Sequence, residues 1–255
     1  LFGFYFIAVF YAFAIPILQN MKKLLLISLV VWHSVSWSAD LTVSAAASLT
    51  QAFQDIGAQF ENQNPGTKVK FNFGASGALM QQIANGAPVD VFASADTDTM
   101  DKAVAKGVVA AADVKVFTTN KLVVIVPLQS KINLQQLADL KKPDIKRIAM
   151  GTPASVPAGH YAQGSLEKAG LWNEVKDKVI NTTNVRQALD YVSRDEVDAG
   201  FVYASDAQLM QDKIKVAMQV TTLTPIQYPT APVMGSSNKN LSVKFIQFLQ
   251  SPLAQ

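Results

Sequence analysis

The sequence predicts an α/β protein built from two doubly wound α/β lobes that are joined by a hinge. Short β-branched runs alternate with helical patterns along residues 40–255, which is typical of parallel sheets with helices on both faces. Turn-forming loops such as Asn64-Pro65-Gly66 separate these elements. The roughly 216 residues after Ala39 are too many for one small sheet and suit two lobes.

Each predicted strand is a short run rich in β-branched and apolar residues. In chain order these runs are Leu41–Ala45, Lys68–Phe73, Val89–Ala93, Leu122–Val126, Arg147–Met150, Lys178–Asn181, Ala199–Val202 and Lys215–Gln219. Each predicted helix follows the helical period of apolar residues. These patterns cover Leu49–Asn62, Gly77–Asn85, Thr97–Lys106, Leu134–Leu140, Ala158–Ala169, Val185–Ser193, Ala204–Gln211 and Lys239–Gln250. The expected division is a first lobe over 40–118, a second over 119–221 and a return to the first over 222–255.

Residues 1–39 are predicted to be a leader that is removed on export. Two lysines follow Met21, the apolar run Leu24–Val31 comes next, and small residues close the segment. This order is typical of a secretory signal peptide. Translation is therefore expected to begin at Met21, and cleavage to fall after Ser38 or Ala39.

The apolar stretch Leu1–Leu18 leaves one alternative open for the leader. It is just long enough to be a membrane-spanning helix, in which case the leader would be an anchor. The segment that begins at Met21 matches the signal-peptide pattern well, which favours a cleaved leader. Residues 1–20 are then an extension upstream of the true start.

Composition excludes several classes of function. The chain has 22 basic and 19 acidic residues and no cysteine. A net charge of +3 without a basic run argues against nucleic acid as a partner. The lack of cysteine excludes thiol catalysis, disulfides and thiolate zinc sites. After the leader only His160 remains, so a metal site of several histidines is excluded. The acidic set Asp96, Asp98 and Asp101 is expected to serve a helix start rather than a cation.

Several helix starts carry a small polar residue directly after a strand. Ser48, Ser76 and Asn184 occupy such positions, and Pro157 suits the first turn of another helix. Free amide groups and the helix dipole attract anions at these ends. Ligands of doubly wound sheets also bind at the carboxyl ends of strands, where Tyr203 follows its strand. These positions together predict an anion site.

The alternative for each helix start is that its polar residue only caps the helix. Ser48 with Gln51 matches the S-x-x-Q capping box, in which the hydroxyl would serve the backbone alone. A cap explains any single start well. Four such starts, two of them flanked by alanine and glycine that let a ligand reach the backbone, favour the anion site.

A serine hydrolase is the alternative from a different class of protein. The segment Gly74-Ala75-Ser76-Gly77-Ala78 resembles a nucleophile elbow, but alanine replaces its final glycine. The base of Ser76 would have to be His160, far along the chain. No phosphate-binding or dinucleotide-binding glycine motif occurs, so nucleotide binding lacks support.

Five stretches resemble the periplasmic molybdate-binding proteins of bacterial ABC importers, which are type II periplasmic solute-binding proteins. They are Ala45–Thr50, Gly86–Asp96, Val156–Ala162, Asn184–Leu189 and Gly200–Asp206. Together with their spacing, the resemblance spans Asp40 to Gln255. It implies a hinged, two-lobed binding protein whose cleft closes on one oxyanion.

The resemblance also implies a set of site residues. The hydroxyl and backbone N–H groups of Ser48 and Ser76 would bind the oxyanion from the first lobe. The backbone N–H groups of Ala158 and Val185 and the hydroxyl of Tyr203 would bind it from the second. No lysine or arginine belongs to this set, so neutral donors and helix dipoles would hold a dianion. The metal atom would be held only through its oxygens, without direct protein ligands.

The implied function is non-enzymatic capture of molybdate, and of tungstate, in the periplasm. The protein would act as a monomer without a cofactor and deliver the anion to an ABC permease in the inner membrane. A site of donors suits a fully deprotonated oxyanion, whereas protonated phosphate also needs an acceptor. Sulfate is also fully deprotonated, so only its smaller size would exclude it. A sulfate-binding protein is therefore the nearest alternative. The export signal disfavours a regulatory oxyanion sensor.

The chain departs from the family pattern in two places. It stops at Gln255, whereas family members usually continue through the end of the last helix, so a C-terminal truncation is expected. Gly74, Ala75 and Gly77 are smaller than the serine-rich version of the segment around Ser76. This backbone freedom is expected to loosen the site.

Overall fold

The computed structural model of the protein describes residues 39–255. The predicted signal peptide, its membrane-anchor alternative and the proposed start at Met21 lie outside the described residues. Within the described part, none of the helices is long and apolar enough to cross a membrane.

Within residues 39–255, ten strands form two five-stranded sheets, and each sheet is the centre of one α/β lobe. The strands are β1 Ala39–Ala46, β2 Thr67–Gly74, β3 Val91–Ala93, β4 Lys115–Asn120, β5 Leu122–Pro127, β6 Ile148–Gly151, β7 Val179–Thr182, β8 Ala199–Tyr203, β9 Ile214–Val220 and β10 Ile226–Pro232. The first sheet has the order β2-β1-β3-β10-β4, and the second has the order β7-β6-β8-β5-β9. The two-lobed α/β architecture agrees with the predicted fold class.

Eight α-helices of the described part of the chain connect the strands and cover the sheets. They are α1 Thr50–Gln63, α2 Ser76–Ala84, α3 Thr97–Ala105, α4 Pro157–Lys168, α5 Trp172–Val175, α6 Val185–Ser193, α7 Ala204–Ala207 and α8 Lys239–Leu249. In the second sheet, β5, β6 and β8 are buried at every position, as expected for strands with both faces covered. Helix α8 packs on the first lobe, where the Phe245 ring meets Phe60 edge-on at 5.1 Å.

The sheets are mixed, which corrects the expectation of purely parallel sheets. Strand β10 runs antiparallel to β3 and β4, and β5 runs antiparallel to β8 and β9. The chain crosses between the sheets twice, from β4 to β5 and from β9 back to β10. The first crossing takes the chain to the second sheet and the second crossing brings it back. Each sheet therefore contains a strand, β10 or β5, that runs antiparallel to its neighbours.

Two strands have no counterpart among the predicted elements, β4 and β10. Strand β4 lies at a sheet edge and is only partly buried, so its residues show no apolar run. Strand β10 contains Pro229 and Pro232, which disfavour a strand assignment. Pro229 is tolerated because the register shifts between Tyr228 and Pro229, where the ladder is already interrupted.

Two predicted helices are shorter than expected. The segment Leu134–Leu140 forms only a 3-10 turn at Leu137–Lys141. The segment Ala204–Gln211 divides into the one-turn helix α7 and a 3-10 turn at Gln208–Met210. The short helix α5 was not predicted. Each of these segments is only a few residues long, and such short helices depend on tertiary contacts rather than on their own propensity.

The proposed lobe boundaries stay a prediction. The first, between residues 118 and 119, falls inside β4, and the chain reaches the second sheet after Lys121. The second, between residues 221 and 222, falls in the loop between β9 and β10, which belong to different sheets.

Candidate functional site

A small cavity lies between the two lobes and brings all five candidate residues together. The volume of the cavity is about 10 Å³, which is close to the room that a single water molecule needs. The cavity is lined by Ala46, Ala47, Ser48, Gly74, Ala75, Ser76, Ala95, Val156, Pro157, Ala158, Asn184, Val185 and Tyr203. Two surface clefts are larger, about 330 and 380 Å³ by the same measure, but none of the five candidates lines them.

The lining of this cavity is neutral and buried. None of its thirteen described residues has a charged side chain. The exposed fraction is 8% for Ser48, 0% for Ser76 and 1% for Tyr203. An anion in the cavity would therefore meet hydroxyl and amide groups out of contact with bulk water, where hydrogen bonds are stronger than in water.

Ser76 presents a hydroxyl that does not cap a helix. It is the first residue of α2, directly after the N-cap residue Ala75, which makes no side-chain capping bond. The backbone N–H of Ala95 donates to Ser76 Oγ at 3.0 Å. A hydroxyl that accepts in this way keeps its own hydrogen for another acceptor.

The predicted capping box of Ser48 and Gln51 is wrong. Ser48 lies in a 3-10 turn ahead of α1, and the N-cap of α1 is Leu49, without a side-chain bond. Gln51 instead donates to Asp55 Oδ1 at 3.3 Å. Ser48 Oγ lies 3.0 Å from the hydroxyl of Tyr228. The Ser48 side chain is thus used in the cavity wall and not at the helix.

The second lobe contributes two helix N-termini. Pro157 occupies the first turn of α4, and Asn184 caps α6 by accepting from the Gln187 N–H at 3.1 Å, both as predicted. Among residues 39–255, no backbone carbonyl accepts from the amide of Ala158 or Val185. First-turn amides have no partner four residues earlier, so these two are free to bind an anion.

Tyr203 lies at the carboxyl end of β8 and reaches across to the first lobe. Its hydroxyl donates to the Ala95 carbonyl over a long distance of 3.4 Å. Burial is the main cause that raises the pKa of Tyr203 well above its ordinary value, and the nearby Tyr228 raises it further. The hydroxyl therefore keeps its proton and remains a donor, and its weak bond to Ala95 is readily exchanged for a better acceptor.

A buried ion pair beneath the cavity was not found by sequence reasoning. Arg186 Nε lies 2.7 Å from Asp206 Oδ1, and the Asp206 side chain is fully buried. Arg186 Nη2 donates to the Ser48 carbonyl at 3.2 Å, and Asp206 Oδ2 accepts from the Tyr203 N–H at 3.3 Å. The pair therefore ties Ser48 and Tyr203 to the N-terminus of α6. Both residues stand in the stretches that carry the family resemblance, but nothing in their spacing shows that they meet.

The buried carboxyl of Asp206 makes stability depend on pH. Burial raises its pKa from 3.8 to about 6, although the charge of Arg186 acts in the opposite direction. The folded protein therefore binds this proton more tightly than the unfolded chain. The resulting stabilisation is complete below about pH 4 and is lost as the pH rises through about 6.

We expect the difference in free energy of unfolding between the wild type and Asp206→Asn to decrease as the pH rises from 4 to 7. The expected decrease is at most about 3 kcal/mol. Urea denaturation of both proteins across this range measures it, because the variant cancels the titration of all other groups. A difference that stays constant with pH would contradict the raised pKa.

The structure does not bring Ser76 and His160 together as a hydrolase would require. His160 Nε2 pairs with Asp98 Oδ2 at 3.1 Å, and its side chain is about half exposed, at 54%. Ser76 Oγ accepts from Ala95 inside the cavity, which His160 does not line.

Two of the three residues in the acidic set, Asp96 and Asp98, lie at the start of α3 as predicted. Asp96 caps α3 by accepting from the Thr99 N–H at 3.2 Å, and Asp98 lies in its first turn. Within residues 39–255, no group of three or more histidine, aspartate or glutamate residues is arranged to hold a metal ion.

Gly77 makes a close contact between the lobes, which bears on the expectation that small residues loosen this segment. Its N–H donates to the Ser155 carbonyl of the second lobe at 3.0 Å. A Cβ atom at position 77 would lie 2.8 Å from that oxygen. The glycine therefore allows the two backbones to touch beside the cavity.

Comparison with known proteins identifies the family of this chain. Residues 41–255 match the family described as bacterial extracellular solute-binding protein. The molybdate-binding protein ModA of Haemophilus influenzae is 36% identical over 226 residues, which cover 87% of this chain and 89% of that protein. ModA of Escherichia coli is 37% identical over 224 residues, 84% of each chain.

Solved structures show the same fold. The periplasmic molybdate-binding protein of Azotobacter vinelandii superimposes with a TM-score of 0.73 at 23% identity and covers 84% of this chain and 94% of its own. The sulfate-binding protein SubI of Mycobacterium tuberculosis gives 0.76 at 19% identity, over 85% and 83%. These matches confirm the predicted fold class, and the relatives confirm a binding protein rather than an enzyme. The chain belongs to the family of bacterial extracellular solute-binding proteins.

Proposed function

We propose that the protein binds molybdate in the cavity between its lobes and delivers it to an ABC importer. The observation that carries this proposal is an uncharged cavity between the lobes whose lining includes five candidate hydrogen-bond donors, Ser48, Ser76, Ala158, Val185 and Tyr203. The two ModA relatives, which match most of the chain, support molybdate as the anion. No cofactor is needed, because the anion itself is the cargo.

The donor set suits an oxyanion without a proton. The hydroxyls of Ser48, Ser76 and Tyr203 and the amides of Ala158 and Val185 can all donate. Molybdate and tungstate accept at every oxygen, so each donor finds a partner. Hydrogen phosphate would bury an O–H group without an acceptor, at a cost of roughly 1–3 kcal/mol. The chemistry of the lining therefore favours fully deprotonated anions.

Binding is coupled to closure of the lobes. Ser48 and Ser76 come from the first lobe, whereas Ala158, Val185 and Tyr203 come from the second. Only a closed arrangement supplies both sets of donors, so the anion stabilises that arrangement over an open one. Because the cavity is buried, the lobes must separate for the anion to enter or leave, and the strand crossings near Lys121 and after Val220 are the expected hinge.

Sulfate is the second candidate ligand. It is also fully deprotonated, so the same donors would bind it, and only the size of the cavity would discriminate against it. The similarity to the sulfate-binding protein SubI keeps this alternative open at the level of fold. Tungstate has the same shape and charge as molybdate and is expected to bind as well.

Export to the periplasm completes the proposal. The segment that begins at Met21 has the pattern of a signal peptide, and a protein that feeds an importer has to meet its substrate outside the inner membrane. We propose that the mature protein acts there as a monomer with an ABC permease as its membrane partner.

Isothermal titration with molybdate, tungstate, sulfate and phosphate tests the proposed function. We expect heat of binding with molybdate and tungstate and none with phosphate. Replacing Ser76 or Ser48 with alanine removes a hydrogen bond to a charged partner, so affinity for molybdate should fall by roughly 1–3 kcal/mol in each variant.

Ser165→Ala is the matched control for these two serine variants. Ser165 is also buried, but its hydroxyl donates to the Tyr161 carbonyl within α4 and does not line the cavity. Its affinity for molybdate should equal that of the wild type. Unchanged affinity in both Ser48→Ala and Ser76→Ala would rule out the proposed site. Binding of sulfate but not of molybdate would identify sulfate as the ligand.

A further inference from the structure

We propose that Asn120 and Tyr228 form a hydrogen-bond relay that holds the Ser48 hydroxyl as a donor to the anion. The relay would direct the hydrogen of this hydroxyl at the anion, which favours a deprotonated oxyanion over a protonated one and would thereby contribute to selectivity. Both are positioning residues, since neither lines the cavity. The inference rests on the proposed function and adds the residues that set the direction of one donor.

The direction of the relay is set at Asn120, the last residue of β4. Its Oδ1 accepts from the backbone N–H of Lys121 at 2.9 Å, and a backbone amide can only donate. The amide nitrogen therefore faces the other way, with Nδ2 at 2.8 Å from Ser205 Oγ and 3.1 Å from the Tyr228 hydroxyl oxygen. An amide nitrogen has hydrogens and no accepting lone pair, so Tyr228 must accept from Asn120.

The second step is the hydroxyl of Tyr228. This side chain in β10 is 1% exposed, and burial raises its pKa well above the ordinary value, so it keeps its proton. Its oxygen already accepts from Asn120. The second polar atom that it contacts is Ser48 Oγ at 3.0 Å. The arrangement that uses every hydrogen has the Tyr228 hydroxyl donating to Ser48.

The third step is the hydrogen of Ser48. Because Ser48 Oγ accepts from Tyr228, its own hydrogen is left for the cavity that Ser48 lines. Ser76 is oriented in the same sense by a different device, the backbone N–H of Ala95 at 3.0 Å. Both hydroxyls of the first lobe are thus turned into donors, one by a backbone amide and one by two side chains. A hydroxyl without such a partner can rotate its hydrogen away and present a lone pair to the anion instead.

Asn120→Asp reverses the relay with almost no change in shape. A carboxylate only accepts, so the Tyr228 hydroxyl would donate to position 120, Ser48 would donate to Tyr228, and a lone pair of Ser48 would face the anion. We expect the affinity for molybdate to fall by about a hundredfold. In the Tyr228→Phe background the relay is already broken, and the same substitution should cost about tenfold or less from its charge alone.

The experiment is titration of molybdate into the wild type, the two single variants and the double variant. A thermal melt without ligand shows that each is folded. An equal loss from Asn120→Asp in both backgrounds would mean a plain charge effect and would overturn the relay. If the wild type binds a different oxyanion, the same four proteins are titrated with that anion, so failure of the molybdate assignment is separate from failure of the relay.

Tyr228→Phe gives a second readout that does not depend on the acidic variant. It leaves the Ser48 hydroxyl free to rotate and present a lone pair to a protonated oxyanion, so the ratio of phosphate affinity to molybdate affinity should rise by about tenfold. Competition of phosphate with bound molybdate measures this ratio. A lower affinity for both anions with an unchanged ratio would show that Tyr228 only packs against the site, and would overturn its role in selectivity.

Discussion

Replacing Arg186 with leucine is expected to lower the free energy of unfolding at pH 7.5 by about 3–5 kcal/mol. The substitution leaves the carboxylate of Asp206, which is fully buried, without the guanidinium that contacts it at 2.7 Å. It also removes the hydrogen bond from Arg186 to the Ser48 carbonyl. The loss should be smaller at pH 5, because Asp206 is then protonated and no buried charge remains. Urea denaturation at the two pH values measures both effects.

Arg194→Leu is the control for this prediction. Arg194 follows the same helix, α6, but is exposed to solvent. The same change of residue there should alter stability by no more than about 0.5 kcal/mol. A second comparison is Arg186→Met combined with Asp206→Leu, which removes both charges and should recover much of the lost stability. An Arg186→Leu protein as stable as Arg194→Leu at pH 7.5 would show that the ion pair has no structural role.

Gly159→Ala is expected to destabilise the protein strongly, although it adds only one methyl group to α4. A Cβ atom at position 159 would lie 1.8 Å from the carbonyl oxygen of Gly151 at the end of β6. Because the oxygen belongs to the backbone and the Cβ is rigidly attached to its Cα, α4 has to move away from the sheet, and we expect a loss of about 3 kcal/mol or more. The shift also displaces the amide of Ala158, so affinity for molybdate should fall with stability.

Gly164→Ala tests whether this loss comes from the contact or only from a change of helix composition. Gly164 lies in the same helix, and a Cβ there would meet the end of the exposed Leu223 side chain at 3.0 Å. That side chain can rotate away, and alanine favours a helix over glycine, so stability should be unchanged or higher by up to about 1 kcal/mol. Thermal melts of the two variants compare them directly. Similar melting temperatures for both would contradict the close approach of α4 and β6.

Much of the fold could be predicted because it depends on local patterns. All eight predicted strands are present, and the longer helices begin within two residues of their predicted starts. The N-cap of Asn184, the first-turn proline at 157 and the cap of Asp96 were read correctly, since capping involves neighbours in sequence. The candidate site residues all lie beside helix starts or strand ends, which is why the sequence could single them out.

The predictions failed where a residue's role depends on a distant partner. The hydroxyl of Ser48 was assigned to a capping box because Gln51 stands three residues later, whereas its partner Tyr228 is 180 residues away. Tyr228 itself was missed with β10, whose prolines argue against a strand. The antiparallel strands in each sheet follow from the two crossings of the chain, and these have no signature in composition or period.

The sequence by itself predicted most of the strands and helices, and it singled out helix starts and strand ends as the source of donors for an anion. These properties arise from residue type and from spacings of a few positions, which the sequence displays directly. Only the tertiary structure decided that the five candidates line one cavity, that Arg186 pairs with the buried Asp206, and that Tyr228 contacts both Asn120 and Ser48. Such contacts join residues about 20 to 180 positions apart. They depend on how the sheets and their crossings bring the chain together, and hydrogen-bond direction follows from those partners.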